Sequence, residues 1–174
     1  MKLTLIAAAF GLAALSAGCS GTTGEAKPDP TSTTPTSGTA SGLDSTKPCE
    51  LMTEAETKEL GVTSSGEPEK LGSADACNWK VSGNGGVVVA VRPTRGVKDL
   101  NLEGNKKYEI KVGKFTATKV EGQDGSADTC TIVLSVTEGS SVAILSNLSG
   151  GREDTAASCE RATKAATLVA AKLP

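Results

Sequence analysis

Cysteine is the residue type in this chain whose position most directly predicts a chemical modification. Cys19 follows a lysine at position 2, a 13-residue apolar run over residues 3–15, and three small residues that end at Gly18. That order is typical of a secretory signal peptide, and a cysteine directly after the cut is typical of a bacterial lipoprotein. We therefore expect cleavage after Gly18, followed by acylation of the Cys19 thiol and of the new amino terminus.

The predicted modification implies a location and one partner. Two or three acyl chains would anchor the protein stably, because a single chain binds a membrane only marginally. We expect it on the outer face of the cytoplasmic membrane, in the cell envelope. A spanning helix fits less well, since it needs about 20 apolar residues. The usual lipoprotein signal has a branched aliphatic residue where this chain has Ser16, so an ordinary signal peptide with a chance cysteine stays the alternative.

Four further cysteines predict a disulfide framework. An even number in an exported domain is typical of disulfides, whereas a zinc site would be favoured by CxxC pairs or histidines, and the chain has neither. We therefore expect no metal site and no cofactor. The four residues are Cys49, Cys77, Cys130 and Cys159.

The composition argues against most catalytic classes. The 174-residue chain contains no histidine, which removes Ser-His-Asp and Cys-His nucleophilic catalysis. No Ser-x-x-Lys motif occurs either, and only a carboxylate-pair hydrolase stays open by composition. The formal net charge of −2 is too close to neutral to indicate a nucleic-acid partner. We expect a protein that is not an enzyme, with no catalytic residues.

The chain divides into three parts. Residues 1–18 are the expected signal peptide, and residues 19–47 are the lipidated cysteine with a Ser/Thr/Pro/Gly-rich tether. The tether has no hydrophobic period, so it is expected to be disordered. Residues 48–174 are expected to form one extracytoplasmic domain of common size.

The local patterns in that domain predict an α+β fold. Thr53 and Glu56 form a capping-box pattern that predicts a short helix over 54–60, ended by Gly61. Residues 67–76 are expected to be a loop, and residues 97–102 a short helix. Alternating or β-branched segments predict strands, and an alanine-rich segment over 153–172 predicts a long helix. The strands are expected over 77–81, 87–92, 108–112, 114–121, 129–137 and 141–148. We expect a curved antiparallel sheet, with the short N-terminal helix and the long C-terminal helix packed on it, and two disulfides.

The order of several residues resembles an actinobacterial lipoprotein family known as domain of unknown function 3558. The similarity covers the whole folded part, and the signal and tether fit the layout of that family. It implies the cysteine framework, and no catalytic residues can be carried over from it, because the activity of the family is unknown. The residues that carry it are Pro48-Cys49, Leu51-Met52-Thr53, Glu56, Leu60-Gly61, Cys77-x-Trp79, Cys130, Cys159 and Leu173-Pro174.

Four cysteines allow three pairings, and sequence alone does not choose among them. We favour Cys130–Cys159, because one lies on the apolar face of a predicted strand and the other on that of a predicted helix. Cys49 precedes the first helix and Cys77 opens the first strand, so Cys49–Cys77 would be a local link. Trp79 is expected to pack over this disulfide, with a ligand contact as the alternative.

Basic residues are concentrated in the middle of the chain. Eight lysines and arginines lie between residues 92 and 119, against three acidic residues. Such a strip is typical of anion binding, although ordinary solvated charge is the simpler interpretation. The candidate anion-binding residues are Arg92, Arg95, Lys98, Lys106, Lys107 and Lys111.

Two functions follow from these observations as expectations. The first is a membrane-anchored, non-catalytic binding or interaction domain for an unknown ligand or protein of the cell envelope. The alternative is a lipid or glycolipid carrier, which would need an apolar cavity. We expect a cavity between the sheet and the terminal helix to favour the carrier, and a solid core to favour the binding domain.

Overall fold

The computed structural model describes residues 41–149 and 153–174. The expected signal peptide, Cys19 and most of the expected tether lie outside the described residues. Within this part, no helix is long and apolar enough to cross a membrane. The elements are α1 (Glu54–Glu59), β1 (Glu67–Leu71), β2 (Ala74–Lys80), β3 (Gly86–Arg92), β4 (Gly104–Val112), β5 (Phe115–Gln123), β6 (Thr129–Thr137), β7 (Ser140–Asn147) and α2 (Thr155–Ala170).

The seven strands form one antiparallel sheet in the order β1-β2-β3-β7-β6-β5-β4. Strands that follow each other in sequence pair as hairpins, with the exception of β3 and β4, because β3 pairs with β7 instead. The connection between β3 and β4, residues 93–103, must therefore cross from the middle of the sheet to its edge. The expected α+β fold, with an antiparallel sheet, a short first helix and a long last helix, is confirmed.

The inner face of the sheet, the face that carries α2, holds the main core. Side chains alternate along β6 as predicted, and Ile132 and Leu134 are fully buried on this face. The helix contributes small residues, of which Ala162 and Ala166 are also fully buried. Burial of apolar surface stabilises the fold by roughly 25 cal/mol per Å². Small side chains let the helix backbone lie close to the sheet.

The opposite, outer face carries a second and smaller apolar cluster. Its buried members are mostly alanines from β2, β3 and β7, together with Val133 of β6. Val97, Leu100 and Leu102 of the β3–β4 connection pack against it. Connections usually run over the surface of a protein. Here the β3–β4 connection runs over the outer face of the sheet and covers part of it.

The prediction of a loop over residues 67–76 is wrong. Residues 67–71 form β1, which pairs with β2 from Glu67 opposite Asn78 to Leu71 opposite Ala74. Four of the five β1 residues are exposed, because an edge strand covers little core. It therefore lacks the alternation by which a strand is recognised. β4 at the other edge starts at Gly104, four residues before the predicted start, for the same reason.

The packed part of the chain starts before Pro48, the expected domain boundary. Leu43 is 1% exposed and belongs to the main core. A Cβ atom added at Gly42 would lie 3.0 Å from the ring of Pro174, so the beginning and the end of this unit are in contact. A single leucine within a Ser/Thr-rich segment gives no periodic signal, which is why the sequence placed residues 41–47 in the tether.

Both favoured disulfides are confirmed. Cys49 is bonded to Cys77 and Cys130 to Cys159, with Cα–Cα distances of 5.1 and 4.9 Å. The first joins the short 3-10 turn before α1 to β2, and the second joins β6 to α2 through the main core.

Trp79 packs beside the first disulfide. It is 3% exposed, and a Cβ atom at Gly66 would lie 2.7 Å from both Cys77 Sγ and Trp79 Nε1. Gly66 therefore packs directly against the disulfide and the tryptophan, where a larger residue would not fit.

Candidate functional site

The β3–β4 connection positions two arginines at one end of the outer face. Arg92 is the last residue of β3 and lies opposite Ser141 of β7. Ser141 Oγ donates a hydrogen bond to the backbone oxygen of Arg95 at 2.7 Å, and Arg95 Nη2 donates to the backbone oxygen of Asp99 at 2.8 Å. Gly96 approaches the backbone of the β6–β7 turn so closely that a Cβ atom would lie 2.0 Å from Glu138 O. These contacts hold the backbone at Arg95 against the sheet, three residues after Arg92.

Arg92 is electrostatically unusual. Burial, and then the positive charge of Arg95, lower the pKa of the Arg92 guanidinium. Its Nη1 atom is buried and makes no hydrogen bond to any residue in 41–149 or 153–174. A guanidinium nevertheless stays charged in proteins. A partly buried cation beside a second cation is therefore a site where an anion would relieve both costs.

These arginines line a groove on the outer face, which we call the outer groove. Its volume is about 490 Å³, within the usual range for small-ligand sites. The floor comes from β6 and β7 and the rim from the β3–β4 connection, from Leu71 to Ser73 and from the β5–β6 turn. The residues that line it include Arg92, Arg95, Leu100, Leu102, Gln123, Asp124, Thr131, Val133, Ala143 and Leu145.

The structure does not bring the whole predicted basic strip together. Lys106, Lys107 and Lys111 lie on β4, four strands from β3, a separation of about 19 Å at ~4.8 Å per strand. They also alternate, so that Lys106 lies on the inner face and Lys107 and Lys111 on the outer face. Lys98 is exposed in a 3-10 turn of the β3–β4 connection. Arg92 and Arg95 are the two predicted residues that share the outer groove.

A larger open groove of about 750 Å³ runs beside α2, lined among others by Leu60, Lys119, Lys164 and Leu168. Its two lysines already have partners. Lys119 Nζ lies 2.7 Å from Glu121 Oε1, and Lys164 Nζ lies 2.8 Å from Glu160 Oε1. Because these charges are compensated within the chain, this groove has less reason to bind an anion than the outer groove has.

The sequence did not reveal the outer groove. Its floor consists of small or single apolar residues on strand faces that otherwise read as polar, such as Val133 between Thr131 and Ser135. The available signal was the apolar triplet Val97, Leu100 and Leu102 in a segment between strands. Such residues need a surface to cover, and here that surface is the outer cluster.

The interface between the sheet and α2 is made of buried side chains. Ala162, Ala165, Ala166 and Val169 of the helix are all 0% exposed. Both described grooves of interest lie on the surface, one beside α2 and one on the outer face. Among residues 41–149 and 153–174, no group of three or more Cys, Asp or Glu side chains is placed to hold a metal ion.

Comparison with known proteins gives a family. The family model described as "Protein of unknown function (DUF3558)" matches residues 14–172. Neither the curated proteins nor the solved structures contain a match to the chain. The matched span includes both disulfides, both arginines of the outer groove and the whole sheet. The chain therefore belongs to the DUF3558 family of proteins of unknown function.

Proposed function

We propose that this protein is a lipid-anchored lipoprotein of the cell envelope whose domain binds an anionic ligand in the outer groove, without catalysing a reaction. The anchor is Cys19, and the domain is held outside the cytoplasmic membrane by the segment that follows it. The signal pattern before Cys19 and two disulfides, which persist in oxidising compartments, support this location.

The observation that carries the binding proposal is the buried Arg92 Nη1 atom without a partner among the described residues, beside the second cation Arg95. Guanidinium groups offer several donors in a fixed plane and bind carboxylates or phosphates in a bidentate manner. The positive charges of Arg92 and Arg95 both favour the binding of an anion and disfavour that of a cation. The lysines of β4 would add long-range attraction, which salt screens over about 8–10 Å.

The absence of catalysis is part of the proposal. The sequence has no histidine, and the four cysteines of the domain are all in disulfides, so none of them is a free thiol nucleophile. The packed interface between α2 and the sheet supports a binding domain over a carrier with a cavity at that place. Turnover of an envelope substrate by the purified protein would contradict this part.

The binding proposal is tested by titrating inorganic phosphate into the full chain carrying Cys19→Ala, with both disulfides formed. NMR shifts of the Val91, Ser141 and Ala143 amides report on the arginine end of the groove. Arg92→Gln with Arg95→Gln should weaken binding about tenfold or more, because hydrogen bonds to charged groups contribute about 1.5–3 kcal/mol.

The matched control is Lys106→Gln with Lys107→Gln, which removes the same charge from β4. It should change binding by less than about twofold at physiological salt, where surface charges farther away than the Debye length are screened. Equal losses from both double variants would show diffuse attraction and contradict a specific site. No phosphate-dependent shift at all would contradict anion binding.

A further inference from the structure

The outer groove changes its chemistry along the strands. Arg92 and Ser141 form one row across β3 and β7. Two residues farther along β7 lies Ala143, opposite Val133 of β6, and two residues beyond it lies Leu145, opposite Thr131. Since successive residues on one face are about 7 Å apart, the apolar floor extends from the arginine row for roughly 14 Å.

The rim of the groove is apolar where the floor is apolar. Leu71, Leu100, Leu102 and Leu145 are only partly buried, and all four line the groove together with the fully buried Val133. Partly exposed leucines around a concave floor are surface that a ligand could still remove from water. The arginine end alone would suit a small inorganic anion, but the apolar floor would then have no role in binding.

The far end of the groove has the opposite polarity. Gln123 Oε1 accepts a hydrogen bond from Thr131 Oγ1 at 2.5 Å, and the neighbouring Asp124 also lines the groove. A carboxylate at this end repels a second anionic group. The groove therefore favours a ligand with its negative charge at one end only.

We infer that the ligand is an anionic amphiphile: a carboxylate or phosphate head at Arg92 and Arg95, with an apolar chain along Val133, Ala143 and Leu145 beneath Leu100 and Leu102. This inference rests on the proposed function, because it needs the arginine end to bind the anion. It differs from a carrier with a cavity between sheet and helix, since the chain lies on the outer face.

The test is a chain-length series of monoalkyl phosphates, from ethyl to octyl, below their critical micelle concentrations. The protein is the full chain with Cys19→Ala, and NMR shifts of the Val133, Ala143 and Leu145 amides locate the chain. Each added methylene that reaches the floor should tighten binding roughly fourfold, as expected for burial of one CH₂ group. The gain should stop once the chain reaches the end of the apolar floor.

Two leucine variants separate the head from the chain. Leu102→Ala should weaken octyl phosphate several-fold and leave inorganic phosphate unchanged. Leu168→Ala, which trims a similarly half-buried leucine of α2 in the other groove, should affect neither. Short-chain diacyl phosphatidic acid, used as a monomer, is compared with hexyl phosphate: tighter binding of the former identifies a membrane glycerolipid, and of the latter a free single-chain amphiphile.

The outcomes distinguish this inference from the proposed function. Phosphate binding that depends on Arg92 but does not gain with chain length overturns the amphiphile and leaves the anion site. A chain-length gain lost in Leu168→Ala but kept in Leu102→Ala places the chain beside α2, which also overturns it. If inorganic phosphate does not bind in an Arg92-dependent way, both the anion site and the amphiphile inference are contradicted.

Discussion

Lys172, just past the end of α2, forms an ion pair with Glu56 of α1. Glu56 also accepts a hydrogen bond from the backbone N–H of Thr53 at 2.6 Å and so completes the capping box of α1. One carboxylate therefore both starts the first helix and ties it to the last.

This relationship predicts a dependence of stability on pH. The Lys172 ammonium, followed by the Thr53 N–H, lowers the pKa of Glu56 from 4.5 to about 2. A carboxyl with a lowered pKa stabilises the folded state fully above its unfolded value, and that contribution is lost as pH falls from about 4.5 towards 2. The two side chains are 29% and 24% exposed, so we expect a loss of about 1 kcal/mol or less.

The measurement is the free energy of unfolding in urea between pH 6 and pH 2. Glu56→Gln keeps a side-chain acceptor for the capping box but lacks the charge, so its stability should fall less over this range. Glu54→Gln is the control, since Glu54 pairs with Lys58 on the exposed helix surface. A pH profile of Glu56→Gln that parallels the wild type would contradict the prediction.

Gly66 is predicted to be intolerant of a side chain. In Gly66→Ala the added methyl group would lie 2.7 Å from Cys77 Sγ and from Trp79 Nε1, closer than atoms can pack. We expect a destabilisation of about 1–3 kcal/mol and a shift in the fluorescence of Trp79, the single tryptophan. Gly139→Ala, where a Cβ atom meets nothing within 4 Å, should be close to neutral in thermal unfolding. Equal destabilisation by the two variants would show that the close approach at Gly66 is not the cause of the effect.

The two disulfides are predicted to contribute similarly to stability and to differ in accessibility. Their sequence separations are 28 and 29 residues, for which the chain-entropy model gives about 3–4 kcal/mol each. Replacing either pair by alanine should therefore lower the free energy of unfolding by comparable amounts.

Limited reduction should distinguish them. Cys49 is partly exposed, whereas Cys130 is 0% and Cys159 is 7% exposed. Under native conditions a small thiol reductant should open Cys49–Cys77 first, followed by alkylation and peptide mapping. Earlier alkylation of Cys130 or Cys159 would be the opposite result and would indicate local opening of α2.

Lipidation of Cys19 is predicted from the sequence alone. Cys19→Ala should leave the protein unprocessed or release it from the membrane fraction, because the thiol that accepts the lipid is gone. Membrane fractionation with intact mass measurement checks this. Wild-type processing and fractionation of the variant would show that an ordinary signal peptide is present instead.

Where side chains alternate or caps are local, the sequence alone was sufficient. The strand β6, the capping box at Thr53 and Glu56 and the long helix followed from patterns of a few residues. The sequence favoured the disulfide pairing that the structure has, without excluding the two others. The apolar faces of β6 and α2 had to be buried against something, and their cysteines lie on those faces. That physical requirement made the inner half of the domain predictable.

Tertiary structure decided what has no local signature. Edge strand β1 is stabilised by pairing with β2 and not by burial, so its sequence resembled a loop. Leu43 belongs to the main core, whose other members come from distant parts of the chain. The groove depends on which residues of distant strands share the outer face. Register placed Arg92 level with Ser141 on that face, and strand order placed Lys106, Lys107 and Lys111 at the far edge of the sheet. The positions of charged residues along a sequence do not give the order of the strands, and that order determines which charges lie close together in space.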